Sequence, residues 1–109
     1  MSFSIVYTQE FEKEIKRLSK KYPSIKKDFS LLLSSLQINP LQGTSLGKNI
    51  YKIRLAVSSK SAGKSGGARV ITYARVINNE VVLISIYDKS EKETISDAEI
   101  KLRLNKYLQ

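Results

Sequence analysis

The run I-Y-K-I-R-L-A-V, from Ile50 to Val57, is where the hydrophobic pattern of this chain changes from helical to extended. Large apolar residues occupy every second position, and Lys52 and Arg54 fall between them. Alternation over this length is typical of a half-buried β-strand. The run therefore predicts a strand that has one apolar face and one cationic face.

Two more strands are predicted after this one. The segment from Ala68 to Ile77 alternates in the same way, and the segment from Glu80 to Tyr87 is almost continuously apolar. The pair Asn78-Asn79 between them suits a tight hairpin turn, because asparagine tolerates positive φ. The three segments together predict an antiparallel meander.

Helical patterns flank the meander on both sides. A short strand is predicted at residues 2–7. Thr8 caps a predicted helix over 9–20, and a second helix is predicted over 24–37, with Pro23 and Pro40 marking the helix ends. Near the C-terminus, Ser96 and Glu99 form a capping box that starts a third helix. Its predicted buried stripe ends at Leu108.

The resulting order is β-α-α-β-β-β-α, which predicts a small α+β fold with a mostly antiparallel twisted sheet and helices packed on one face. The chain has 109 residues, enough for one hydrophobic core, so residues 1–109 are predicted to form a single domain.

Composition narrows the chemistry. The sequence contains no cysteine and no histidine, which excludes disulfides, cysteine nucleophiles and histidine-based triads or metal sites. No stretch is apolar enough to span a membrane and the N-terminus does not read as a signal peptide, so we expect a cytoplasmic protein with no membrane association.

The charge is strongly positive and unevenly distributed. The net charge is +9, and residues 50–87 contain six Lys/Arg but one acid. Such a concentration favours a polyanionic partner, chiefly nucleic acid, although a merely solubilising surface would look the same.

Several residues of the meander and its surroundings are candidates for a nucleic-acid site. The loop at 58–67 adds cations to those of the strands, Tyr73 and Tyr87 offer rings that stack on bases or donate a proton, and the run Y-D-K-S-E closes the last strand. Taken singly, each feature also fits a hairpin connection, a packed tyrosine or a solvated turn. The candidates are Lys52, Arg54, Lys60, Lys64, Arg69, Tyr73, Arg75, Tyr87, Lys89 and Glu91.

Without histidine or a paired-carboxylate signature, metal-free cleavage of RNA is the chemistry left open, and no cofactor is expected. RNA carries its own nucleophile, the 2′-OH. Clustered Lys, Arg and Tyr side chains can align it, move its proton and neutralise the transition state.

Three motifs of the chain resemble the RelE/ParE superfamily of toxins from toxin-antitoxin modules. They are Y-K-I-R at 51–54, K-S-G-G-A-R-V-I-T-Y at 64–73 and I-S-I-Y-D-K-S-E at 84–91. The HigB-like branch is the most similar, since a basic G-K-x-G-G-x-R loop and a Y-x-K-x-E segment recur there. The chain departs from the RelE branch at Ser90 and Ser96, where that branch has an arginine and a functional tyrosine.

The resemblance implies a ribosome-dependent mRNA endoribonuclease that inhibits translation and is silenced by a cognate antitoxin protein. By position, Lys52 and Arg54 would bind the scissile phosphate and Arg69 would stabilise the transition state. Lys60 and Lys64 would grip mRNA or ribosomal RNA. Tyr87 and Lys89 would supply further catalytic or stacking groups.

Two alternatives remain at this point. A ParE-like member would inhibit DNA gyrase and would not need the nuclease residues. A toxin relic would bind nucleic acid or a partner without catalysis. Fold-level likeness does not separate these readings, so the site residues must.

Overall fold

The computed structural model describes residues 2–60 and 66–109. Within these ranges the chain forms three α-helices and one five-stranded sheet. The elements are β1 (Ser4–Tyr7), α1 (Gln9–Lys21), α2 (Ile25–Ile38), β2 (Thr44–Gly47), β3 (Ile50–Leu55), β4 (Ala68–Arg75), β5 (Glu80–Asp88) and α3 (Asp97–Leu108). This confirms the predicted α+β class. None of the helices in the described ranges is long and apolar enough to cross a bilayer.

The sheet has the order β1-β5-β4-β3-β2. β1 lies parallel to β5, and every other neighbouring pair is antiparallel. β2 is absent from the sequence prediction, because all four of its residues are exposed and show no alternation. It forms an edge strand that Gly43 and Gly47, both at positive φ, bring alongside β3.

The predicted helix boundaries agree closely with the structure. Thr8 and Ser96 cap α1 and α3 by accepting hydrogen bonds from the Phe11 and Glu99 backbone N–H groups, at 3.1 Å in both cases. The connection from β4 to β5 is longer than predicted. β4 ends at Arg75, and a 3₁₀ turn precedes a single left-handed residue, Asn79 at φ 51°.

The two faces of the sheet are covered differently. α1 and α2 pack on one face through a core that includes Phe11, Leu36 and Val70. α3 packs on the opposite face, where Ile100 joins a second cluster with Ile84. The prediction that all helices share one face is therefore wrong. We call these surfaces the hairpin face and the α3 face.

An ion pair between buried Arg103 and half-buried Glu14 fixes α3 beside β5. β1 pairs only as far as Leu83, so the outer edge of β5 is uncovered beyond that residue. There Glu14 accepts a hydrogen bond from the Ile86 N–H at 3.2 Å, and Arg103 donates one to the Ile84 carbonyl at 3.1 Å. The Arg103 guanidinium also bonds the Glu14 carboxylate at 2.9 Å. Charged side chains from α1 and α3 thus complete the edge of the strand, where unpaired backbone groups would be costly.

A candidate site on the cationic face of the sheet

Three candidate residues form a row across the α3 face. In the strand register, Arg54 of β3 lies opposite Arg69 of β4, and Arg69 lies opposite Tyr87 of β5. Side chains directly opposite each other have Cβ atoms about 4.5–5.5 Å apart. Lys52 stands two positions along β3 and so points to the same face. We call these four residues the cationic patch.

The patch grades from exposed to buried across the strands. Arg54 is exposed and Lys52 is half-buried, whereas Arg69 keeps only 6% of its surface and Tyr87 only 3%. Neither Lys52 nor Arg54 forms an ion pair with an acid in the described ranges. Arg54 and Arg69 are cross-strand neighbours of like charge, so an anion bound beside them would be favourable. The Arg69 guanidinium also donates to the Ala68 carbonyl at 3.2 Å.

Two residues of the segment after β5, Lys92 and Thr94, contact the patch. Lys52 Nζ donates to Thr94 Oγ1 at 3.0 Å, and Lys92 Nζ lies 5.8 Å from the centre of the Tyr87 ring. Lys89 Nζ donates to the Glu93 carbonyl at 3.3 Å. We call residues 89–94 the strap. The strap contacts Lys52 of the patch through the Thr94 hydroxyl.

The Tyr87 hydroxyl is buried and has no hydrogen-bond partner among the described residues. Nearly all buried hydroxyls in folded proteins are bonded, because desolvating one without a partner costs about 1–3 kcal/mol. The Tyr87 hydroxyl is such an exception, and Tyr87 is the cross-strand neighbour of Arg69.

Two of the sequence candidates lie on the hairpin side instead. Lys60 is ion-paired with Asp88, and Glu91 bonds Arg17 and Lys21, at 2.8 Å each. These bonds from Arg17 and Lys21 lower the pKa of Glu91 to about 2. The expectation that Lys60 converges with the strand cations is therefore wrong.

Tyr73 and Arg75 lie on the α3 face but away from the patch. Tyr73 packs against the apolar cluster beneath α3. Arg75, at the other end of β4 from Arg69, is paired with Glu80 at 2.9 Å. The pairing of Arg75 with Glu80 separates it from the patch, whereas Tyr73 lies two positions along β4 from Ile71, the residue opposite Lys52, and its role stays a prediction. Lys64 lies outside the described residues.

Sequence reasoning missed Asp88, whose carboxylate collects donors from three elements. It is 2% exposed and accepts hydrogen bonds from the Tyr22 hydroxyl at 2.6 Å and the Ser90 N–H at 2.9 Å, besides the Lys60 ammonium. Burial by itself would raise the pKa of Asp88, but these donors outweigh it and hold that pKa well below its ordinary value. The available signal was an acid on the core-facing side at the end of an apolar strand, in a chain poor in acids.

The two departures from the RelE-branch pattern have structural roles here. Ser90 bonds the Asp88 carboxylate through both its N–H and its hydroxyl, the latter at 2.7 Å. Ser96 is the N-cap of α3.

This fold is shared with solved structures of small toxins from toxin-antitoxin systems. The E. coli toxin RelE in its free state, carrying two arginine-to-alanine substitutions, superposes with a TM-score of 0.62 at 16% identity, over the whole of both chains. The isolated E. coli RelE toxin gives 0.53 at 19% identity, over 99% of this chain and all of the other. A chain of the intact E. coli RelBE toxin-antitoxin complex gives 0.52 at 22% identity, covering 80% of this chain and 96% of that one.

Sequence comparison identifies the family. Residues 5–107 match the family described as the RelE toxin of the RelE/RelB toxin-antitoxin system. The chain therefore belongs to the RelE toxin family, as its motifs predicted. No curated protein sequence matches it significantly. Its assignment to the HigB-like branch stays a prediction.

Proposed function

We propose that this chain is a metal-independent endoribonuclease that cleaves mRNA on the cytoplasmic ribosome and so arrests translation. The observation that carries the proposal is the row of Arg54, Arg69 and Tyr87, flanked by Lys52 on the same face. Membership of a toxin family supports the biological role.

The reaction we propose is an internal transfer at one phosphate of the mRNA. The 2′-oxygen loses its proton to a base and attacks the adjacent phosphorus. As the new P–O2′ bond forms, the P–O5′ bond breaks and the leaving 5′-oxygen takes up a proton. The products are a 2′,3′-cyclic phosphate and a 5′-hydroxyl, and no other reactant is consumed.

We assign the tasks of phosphate binding and transition-state stabilisation according to how exposed each patch residue is. Arg54 and Lys52 are reachable from solvent and would bind the scissile phosphate, with the phosphate replacing Thr94 as the acceptor for Lys52. Arg69 is buried at the centre of the row, where its planar guanidinium would stabilise charge that develops on the phosphoryl oxygens.

Tyr87 and Lys89 are the candidate proton carriers. The Tyr87 hydroxyl has no hydrogen-bond partner among the described residues, and Tyr87 is the cross-strand neighbour of Arg69. Lys89 belongs to the strap. For substrate to reach the hydroxyl, Lys92 must move off the Tyr87 ring. We therefore expect the strap to shift when mRNA binds.

The test is cleavage of mRNA on programmed ribosomes in single-turnover conditions. Arg54→Gln should slow cleavage about 100-fold or more, which is the usual cost of losing one transition-state donor. The matched control is Lys106→Gln, which removes one exposed cation on α3 that is paired with Glu10. It should leave the rate within twofold.

The chemistry has its own check. A single 2′-deoxy substitution at the scissile nucleotide should abolish cleavage, because it removes the nucleophile. Cleavage that persists at the deoxy position, or products that carry a 5′-phosphate, would contradict the proposed reaction.

The same proposal includes a protein antitoxin. One matched structure is titled as an intact toxin-antitoxin complex of E. coli. The net charge of +9 suits an acidic partner segment, which would gain from electrostatic complementarity. Co-expression with the adjacent open reading frame should restore growth, and failure of any such partner to do so would count against this part.

A further inference from the structure

Lys60 is the only lysine among the described residues of the loop at 58–67, and its ammonium group points into the protein. Its side chain is 14% exposed, and its ammonium pairs with the Asp88 carboxylate and donates to Ser90 Oγ at 3.1 Å. The ammonium also lies 5.5 Å from the centre of the Tyr22 ring. A cation enclosed in this way is already neutralised, so it has little to offer a phosphate.

Asp88 is positioned where it can influence the patch from the opposite face of the sheet. In sequence it stands between Tyr87 and Lys89, the two candidate proton carriers. In the register it lies opposite Ala68, the neighbour of Arg69. Its carboxylate also accepts a hydrogen bond from Tyr22, the residue that ends α1.

The pair therefore ties three parts of the molecule to one point. Lys60 is the last residue of the 3₁₀ turn Ser58–Lys60, which follows β3. Asp88 is the last residue of β5 and the origin of the strap, and its Ser90 bonds close the turn there. Tyr22 anchors both to the helical hairpin.

We propose that Asp88 and Lys60 are positioning residues for cleavage, which hold the start of the strap in the geometry that the patch requires. This proposal rests on the proposed ribonuclease function. It reassigns Lys60, because a residue in this role acts through Asp88 and does not touch RNA.

The two roles of Lys60 give different salt dependences. Each phosphate contact made by a cation contributes about 0.7–0.9 to the slope of log affinity against log salt concentration. A positioning residue contributes nothing to that slope. Its loss instead lowers the rate of the bound complex, because small misplacements of reacting groups are costly in rate.

The experiment uses the full chain and ribosomes programmed with a mRNA that carries a 2′-deoxy scissile nucleotide, so that binding is measured without cleavage. The variants are Lys60→Met, Asp88→Asn and the double variant, with Arg54→Gln as the comparator that removes a phosphate contact. Affinity is measured from 50 to 200 mM salt, and single-turnover rates are measured on cleavable mRNA. Circular dichroism reports the folded fraction of each variant at the assay temperature.

We expect Lys60→Met to keep the wild-type salt slope and to lower the cleavage rate at least tenfold. Arg54→Gln should reduce the slope by close to one contact. Lys60→Arg, which keeps the cation for Asp88, should recover the rate to within about threefold of wild type. The double variant removes both charges together, so its rate should be no lower than that of the worse single variant.

The positioning role would be overturned if Lys60→Met reduced the salt slope as much as Arg54→Gln does and left the cleavage rate of the bound complex unchanged. That result would return Lys60 to a role in RNA binding. Multiplying rate losses in the double variant would also overturn the positioning role. If a single variant fails to fold, the double variant, which leaves no buried unpaired charge, supplies the comparison. A wild-type chain that cleaves no mRNA contradicts the proposed function itself, whereas the outcomes above are read with the wild type active.

Discussion

Replacing Arg103 by methionine tests how α3 is held to the sheet. The guanidinium bonds Glu14 at 2.9 Å, Glu99 at 2.7 Å and the Ile84 carbonyl at 3.1 Å, and its side chain is 9% exposed. Removing one member of a fully buried ion pair costs about 3–5 kcal/mol, and here Arg103 is buried whereas the side chain of Glu14 is 20% exposed. Glu14 keeps its bonds from Ser85 and the Ile86 N–H, which favours the lower end of that range. We therefore expect a loss of about 3 kcal/mol in the free energy of unfolding.

The assay is urea unfolding at pH 7 followed by circular dichroism. With a denaturant slope of about 1.5 kcal/mol/M, a loss of 3 kcal/mol lowers the midpoint by about 2 M. Glu14→Gln keeps an acceptor for the backbone and should cost less, about 2 kcal/mol. The double variant Glu14→Gln/Arg103→Met should cost clearly less than the sum of the two, because it leaves no unpaired buried charge.

Lys106→Met is the matched control on the same helix. Its ammonium is paired with Glu10 at 3.2 Å, but its side chain is 62% exposed, and exposed pairs contribute about 0–1 kcal/mol. If Arg103→Met destabilised the protein no more than this control, or if the two losses simply added in the double variant, the account of the β5 edge would be refuted.

Three further predictions concern other parts of the molecule. The pKa of Glu91 lies near 2, below its ordinary 4.5, so its contribution to stability is complete above pH 4.5 and is lost as the pH falls toward 2; urea midpoints at pH 7 and pH 3 should therefore differ less in Glu91→Gln than in wild type, and equal differences would contradict this. Gly43→Ala should be strongly destabilising, because a Cβ there would lie 2.4 Å from the Lys52 carbonyl oxygen. Gly47→Ala, at φ 91° but with no atom within 4 Å of its Cβ, carries the backbone strain alone. The thermal unfolding midpoint of Gly43→Ala should therefore be clearly lower than that of Gly47→Ala, and the reverse order would be inconsistent with the β2–β3 packing. Thr94→Val frees Lys52 from its hydrogen bond of 3.0 Å, so the KM for mRNA should fall about 2–10-fold with little change in kcat, and an unchanged or higher KM would argue against competition between strap and substrate.

Much of the fold follows from local patterns. Thr8 and Ser96 indicate where α1 and α3 begin, because their side chains are typical N-caps. The change of the hydrophobic period at Ile50 locates the first strand of the meander. These signals involve residues close in sequence. The row of Arg54, Arg69 and Tyr87 was also accessible, because alternation alone assigns each to the cationic side of its strand.

The remaining features depend on contacts between distant residues. An amphipathic helix can bury its apolar stripe against either face of a sheet. Arg103 helps to hold α3 on its face, and no hydrophobic pattern marks this charged residue as buried. Leu108, which is predicted to belong to the buried stripe, is exposed. β2 consists of four exposed residues that pair with β3 through backbone bonds, which leave no trace in composition.

Lys60 shows the same limit within the site. In the sequence it is one more cation of a basic loop, equal to Lys52 or Arg54 in charge. Its partner Asp88 lies 28 residues away, and only the folded chain brings the two together. Counting cations therefore overstates the charge available to RNA, because part of it is used inside the protein.

The central claim is that the patch cleaves mRNA during translation, and the most direct measurement is a map of mRNA 5′ ends after expression of the chain from a tight promoter. Wild type and Arg54→Gln are compared on a reporter with and without its start codon. The account predicts new 5′ ends within the translated frame, absent from the untranslated reporter and from Arg54→Gln at equal protein level. Intact mRNA in growth-arrested cells, with double-strand DNA breaks in its place, would contradict it and indicate gyrase as the target.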